Sequence, residues 1–288
     1  MPLALRARRE IGLTLLALAF LAGCPRHVRI ERPYAPPRAA DLLQVLRAQQ
    51  TAVKTMNARA RATSWLGGDR IRATVLMLVE RPGRLRLEAE VSLQGTVAVL
   101  VTDGARFGFL DVQHSQLQRG PACPANVASL IRIPLAPGDV AAILLGDARL
   151  PEVADDAALD ARVEWDGDVA ADVLDVRAGA GRLRYFLKRA DAQAAIKLVA
   201  VTARDGADRP IWRAAFEDFV DVGNAGSPRV SLPATVRYAE GAGSFDDGVE
   251  IKFKERTLNE VQAAAAFVLQ PAAGITTIDV GCPPVVAP

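Results

Sequence analysis

Hydrophobic and polar positions change their period twice along this chain, and each change predicts a different kind of element. From Asp41, which can cap a helix, Leu42, Val45, Leu46, Val53 and Met56 recur at helical spacing and predict one amphipathic helix. From about Ala58 the period becomes two. In Arg84-Leu85-Arg86-Leu87-Glu88-Ala89-Glu90-Val91 charge and apolar character alternate without a break, so a strand here carries its charges on one face and its apolar side chains on the other. The runs Ile71 to Glu80 and Thr96 to Thr102 are apolar on both faces over part of their length, which predicts a cover on each side. Turn signals at Leu66-Gly67-Gly68-Asp69, Arg81-Pro82-Gly83, Gln94-Gly95 and Asp103-Gly104 make these strands an antiparallel meander.

Between Pro124 and Gly146 the period is helical again. Val127, Leu130 and Ile131 form one short helix, Pro134 and Pro137 break it, and Val140, Ile143, Leu144 and Leu145 form a second that stops at Gly146. Strands then resume at 161–166, 173–177, 183–189, 196–204, 211–220, 229–238 and 249–256. A sheet of ten or more strands curls. The expected fold is mainly β with a few helices: an incomplete antiparallel barrel with helices across its open side and an apolar interior. An apolar run from Val261 to Leu269 is expected to add a further lid.

The beginning of the chain adds a destination. Arg6, Arg8 and Arg9 precede an apolar stretch from Ile11 to Ala22, too short for a membrane-spanning helix and followed by Leu21-Ala22-Gly23-Cys24. This spelling resembles the lipobox of bacterial lipoproteins, and it implies removal of residues 1–23 and acylation of Cys24 with palmitate or a similar chain. Pro25, not aspartate, follows; by resemblance to the sorting rule of enteric bacteria this implies the outer membrane. Residues 24–40, with Pro25, Pro33, Pro36, Pro37 and four arginines, are expected to be an extended tether whose arginines could touch headgroups. Residues 41–270 form the domain and 271–288 a tail.

Charge and chemistry narrow the function. Without residues 1–23, which hold three arginines and Glu10, the 35 basic and 33 acidic residues become 32 of each, and a nucleic-acid binder would carry a basic excess. His27 and His114 cannot be brought together by spacing, no cysteine has a zinc-type neighbour, and Asp155-Asp156 and Asp246-Asp247 sit in turn-like stretches. The expectation is no enzyme, metal or cofactor. Cys123 and Cys282 are the thiols left once Cys24 is acylated. Spacing leaves open whether they pair or stay as two buried thiols.

Three stretches resemble the lipoprotein-sorting proteins LolA and LolB, more closely LolB: Arg84–Leu87 running through Val91-Ser92-Leu93-Gln94-Gly95-Thr96, then Val101–Gly104, then Ile133-Pro134-Leu135 through Leu144-Leu145-Gly146. With the opening helix the resemblance covers about residues 41–150, and no motif aligns from Pro151 onward. It implies a helix-lidded half-barrel that receives acyl chains of lipids or lipoproteins, with a periplasmic carrier protein among its partners. It also implies that Leu93 presses into the membrane. The expected cavity lining is Trp65, Val75, Met77, Leu85, Leu87, Phe107, Phe109, Leu144, Trp212 and Phe216. Core filling explains any one of these equally well. The rival reading is a structural or assembly lipoprotein that keeps the fold and binds a protein partner.

Overall fold

The computed structural model describes residues 29–66, 69–153, 156, 159–223, 229–270 and 272–283. Its first helix, α1 (Ala39–Ala52), begins two residues before Asp41. Asp41 therefore sits inside the first turn, where its carboxylate accepts the Arg38 backbone N–H at 3.2 Å and pairs with the Arg38 guanidinium. Leu42, Leu43 and Leu46 are buried, whereas Met56, expected on this helix, belongs to the strand that follows.

That strand opens a meander: β1 (Thr55–Leu66), β2 (Asp69–Glu80), β3 (Arg84–Val91), β4 (Gly95–Thr102), β5 (Arg106–Asp111) and β6 (Gln116–Pro121). Helices α2 (Pro124–Ile131) and α3 (Pro137–Leu144) interrupt it, each with proline in its first turn, where the missing N–H has no partner to lose. Gly146, at φ +82°, follows α3 and ends it as expected. A second meander follows: β7 (Ala161–Asp166), β8 (Ala171–Ala178), β9 (Gly181–Lys188), β10 (Lys197–Arg204), β11 (Pro210–Val222), β12 (Val230–Glu240) and β13 (Val249–Leu258). The last strand, β14 (Thr276–Asp279), was not expected.

All fourteen strands form one sheet in the order β14-β6-β5-β4-β3-β2-β1-β13-β12-β11-β10-β9-β8-β7. The meanders are joined where β1 pairs with β13, Ala60 opposite Phe253 and Ala62 opposite Ile251. Pairing is antiparallel except that β14 runs parallel to β6. The end strands do not meet, so the barrel is incomplete, as the sequence predicted. Register breaks at Arg59/Ala60, Ala89/Glu90 and Leu198/Ala200 help the sheet curl.

Alternation decides which face is inside. In β3, Leu85, Leu87 and Ala89 are buried while Arg84, Arg86 and Glu88 are half-exposed on the convex face. The inner face joins both meanders in one core with α1, α2 and α3: Met77, Leu87 and Leu100 from the first, Leu174, Tyr185, Phe216 and Val236 from the second.

Two terminal segments depart from expectation. The Val261–Leu269 run is no lid over the interior. It contains only a short 3-10 turn, Ala264–Phe267, and straps the convex face, where the Arg86 guanidinium donates to the Ala266 carbonyl at 3.1 Å and Arg84 lies over the Phe267 ring. This strap is the outer cover of β4, in which Val99, Leu100 and Val101 are all buried. β2 is covered less completely, with Leu76 and Leu78 only half-buried. The C-terminal tail is part of the sheet through β14, and Cys123 and Cys282 form a disulfide with Cα atoms 6.0 Å apart. At the other terminus residues 29–38 are extended but docked, so the packed unit reaches back to Arg29 instead of starting at residue 41.

Candidate functional site

An acyl-chain site requires an apolar interior that the protein's own side chains leave partly empty. In the first meander that space is nearly filled. Val79, Leu85 and Leu87 are fully buried, Met77 is 2% exposed, and Leu144 of α3 is 1% exposed. What remains under α2 is a recess of about 50 Å³ walled by Ala62, Ile71, Ala73, Val75, Ala89 and Ile131. Of the expected lining residues, Val75 reaches this recess. Met77, Leu85, Leu87 and Leu144 pack the core, because α2 lies against β4 and β5 and α3 against β2 and β3. Phe216 is packed likewise, Phe107 is buried, Phe109 is partly buried against the core, and Trp65 is half-exposed beneath the Arg70 guanidinium.

The second meander keeps more room. Between α3 and the ends of β8–β11, where the β8–β9 and β10–β11 turns form its rim, lies a cavity of about 330 Å³ that opens to solvent, lined by Ile143, Ala148, Leu183, Ala203, Ile211 and Trp212, with Asp139, Arg149, Arg182, Arg204 and Asp205 also bordering it. This volume is at the lower end of ligand pockets, which run from about 300 to 1,000 Å³. Of the expected lining residues Trp212 borders this cavity, and its ring stacks on Tyr238 at 6.4 Å. Sequence reasoning missed Ile143, Leu183 and Ala203 as lining, whose alternation or helical spacing marks an inner face without saying whether that face is filled, and Ile211, which is 53% exposed at the cavity rim.

The cavity roof is fixed by buried polar contacts. The Tyr185 hydroxyl donates to the Arg149 carbonyl at 2.6 Å, holding the segment after α3 over the second meander, and burial raises the Tyr185 phenol above its ordinary range. Asp147, fully buried, pairs with Arg81, whose Nε also donates to the Val53 carbonyl at 2.8 Å. One guanidinium thereby ties the end of α1, the β2–β3 turn and the segment after α3. Burial outweighs the Arg81 charge and pushes the Asp147 carboxyl up to about 6. At the cavity wall, burial also raises Asp139, with Arg149 opposing it.

Leu93 lies at the tip of the β3–β4 turn, fully exposed at 107%, with φ +72°. A leucine rarely adopts left-handed backbone. The turn is closed by the Gln94 N–H donating to the Val91 carbonyl at 3.1 Å, and Gln113 of the neighbouring β5–β6 turn donates to the Gln94 side chain at 3.2 Å. Val91 and Val112 are 40% and 42% exposed beside it. The side chain does not fold back on its hairpin. Cys24 lies outside the described residues. Among the described residues no group of three or more His, Cys, Asp or Glu is arranged to hold a metal, and no helix is long and apolar enough to cross a membrane.

No known protein family matches this sequence, and no curated protein does. Solved structures do share its architecture. A LolA superfamily protein from Nitrosomonas europaea superposes with a TM-score of 0.52 at 10% identity, over 81% of this chain and 99% of its own. A DUF1329 family protein from Desulfovibrio piger gives 0.54 at 11% identity, over 81% and 98%. A domain from Vibrio parahaemolyticus assigned to outer membrane lipoprotein sorting gives 0.53 at 8%, over 80% and 97%. Because each covers about four-fifths of the chain, the likeness extends well past residue 150, where the motifs of the sequence stopped. The fold of this protein is the open, helix-lidded half-barrel seen in the LolA superfamily and in lipoprotein-sorting domains.

Proposed function

We propose that this is a non-enzymatic lipoprotein of the cell envelope, held in the outer membrane by acyl chains on Cys24, that receives an acyl chain of a lipid or lipoprotein in the cavity beneath α3. Its Leu93 hairpin is the apolar contact at which cargo passes to or from a membrane. The observation that carries this reading is the solvent-reaching cavity with Trp212, Ile143, Leu183 and Ile211 on its walls, inside a fold shared with lipoprotein-sorting domains. Binding would be driven by burial of chain methylenes at roughly 0.8 kcal/mol each, with no cofactor required. The exposed Leu93 supports the second part, since a leucine held in left-handed backbone with no protein contact for its side chain is a candidate for an external apolar partner.

Native mass spectrometry of the signal-free protein tests the reading. Co-purified lipid, or uptake of a fluorescent fatty acid that Trp212→Arg abolishes, is the expected result; a lipid-free protein that takes up no fatty acid would overturn it. Leu93→Glu is expected to leave folding intact and to stop delivery. The rival scaffold reading draws on a groove of about 450 Å³ on the convex face, lined by Asn57, Arg59, Leu76, Leu78, Arg86 and Glu255. That groove is where a protein partner would sit if no lipid is carried.

A further inference from the structure

Residues 29–35, which follow Cys24 in the sequence, are docked on the second meander. The Ile30 N–H donates to the Gly167 carbonyl at 2.9 Å, and the Trp165 indole N–H donates back to the Ile30 carbonyl at 2.7 Å. Arg32 lies over the Trp165 ring and pairs with buried Asp172 at 2.9 Å. Tyr34 meets Trp165 edge to face, and Arg189 lies 3.8 Å over the Tyr34 ring. Residues 29–35 are therefore clipped across the ends of β7, β8 and β9, beside the β7–β8 turn at Gly167–Ala170.

Five peptide steps separate Cys24 from Arg29, a reach of at most about 18 Å. An acylated Cys24 would thus keep the β7–β8 turn close to its membrane, and the side chains exposed there suit that position: Ile30 is 52% and Val169 44% exposed, with Arg29 alongside. The turn also holds Asp166 and Asp168, and Arg29 lies 3.6 Å from Asp168, so the attraction is apolar and not a matter of net charge. Leu93 lies at the opposite strand ends, because β3 runs from the β2–β3 turn toward the tip while β7 runs from the tip toward Gly167.

We propose that residues 29–35 act as a clip that seats the β7–β8 turn on the membrane holding the acylated Cys24 and turns the Leu93 hairpin away from it, so that Leu93 reaches that membrane only when the clip opens. The inference rests on the acylation of Cys24 proposed above. Gly167 offers a way to open the clip: a Cβ there would lie 3.0 Å from the Ile30 carbonyl oxygen and 3.2 Å from the Arg29 Cβ.

Amide hydrogen exchange of the mature protein tests this, free in detergent and tethered in vesicles of phosphatidylethanolamine and phosphatidylglycerol. Tethering is expected to slow exchange several-fold at residues 167–170 and to leave residues 92–95 unchanged. In Gly167→Val, and independently in Trp165→Ala, the slowing at 167–170 is expected to vanish and to appear at 92–95. Slowing at 92–95 in the unaltered protein, or no change at 167–170, overturns the proposal. The mass of the mature protein reports acylation separately. If Cys24 proves unmodified, coupling its thiol to a maleimide phospholipid supplies the same tether, so the orientation is tested even where the acylation reading fails.

Discussion

The two meanders use one sheet in different ways. In β1–β6 the inner face is packed by α2 and α3, leaving a recess of about 50 Å³ under α2, and the outer face of β3 carries the strap at Phe267. In β7–β13 about 330 Å³ stays open beneath α3. The outer face of β7–β9 carries a charge lattice in which buried Asp175 accepts from Arg182 and is approached by Arg162 and Arg184 at 3.7 Å each. The half with the recognisable motifs thus has the more completely filled interior, and the half without them supplies the strands that border the interior cavity. Motifs mark strand ends, turns and helix stops, which must repeat for the fold to form. A cavity needs only that side chains be too few or too small, and many sequences satisfy that.

The largest expected effect breaks the first half from outside. Reducing Cys123–Cys282, 159 residues apart, is expected to cost up to about 5 kcal/mol in the loop-entropy model. Thermal melts with and without reductant measure it, and β14 is expected to be the first strand to lose exchange protection. An unchanged melting temperature would mean that β14 and the strap hold without the bond.

Next come paired truncations that contrast the two interiors. Leu87→Ala, at a fully buried site of the filled half, is expected to cost about 2 to 5 kcal/mol. Trp212→Ala, at the half-open wall, is expected to cost about 1 to 2 kcal/mol and to remove fatty-acid uptake. Chemical denaturation and a binding titration separate them. Equal stability losses, with uptake retained in Trp212→Ala, would erase the distinction between filled and open halves.

The Arg81–Asp147 pair joins the halves and gives a pH signature. Because the folded carboxyl is raised from 3.8 to about 6, the unfolded chain releases this proton first, and the group takes stability away as pH rises between those values. On acidification from about pH 7 to about pH 4 the unaltered protein is expected to gain on the order of 3 kcal/mol relative to Asp147→Asn. Exposed carboxylates held low by partners, such as Asp41 and Asp205, act in the opposite direction and cancel in that difference. Parallel pH profiles for the two proteins would show that Asp147 does not titrate there.

The smallest effect is at Leu93. Leu93→Gly relieves a leucine at φ +72° and is expected to stabilise the protein by about 1 kcal/mol while weakening membrane contact. Greater stability with undiminished delivery would make the leucine an ordinary turn residue.

The sequence by itself determined most of the secondary structure. Strict alternation over Arg84–Val91 fixed both the strand and its inner face, since a slip of one residue would turn Leu85 and Leu87 to water. The strands of the second half fell within a few residues of their predicted spans for the same reason. Other features lay beyond local pattern. Thr276–Asp279 is too short to show a period and forms its strand against β6, beside a bond to Cys123 far back in the chain. The Val261–Leu269 run looked like a lid because its composition says only that it must be covered, and tertiary packing put it on the convex face. The proline-rich segment read as a free tether because Trp165 and Asp172, its docking partners, lie more than 130 residues away. Alternation tells which side chains face inward. Only the three-dimensional arrangement of helices over strands decided that Leu87 and Phe216 would be packed tight while Trp212 would border open space, because filling depends on how many side chains from distant segments converge on one volume.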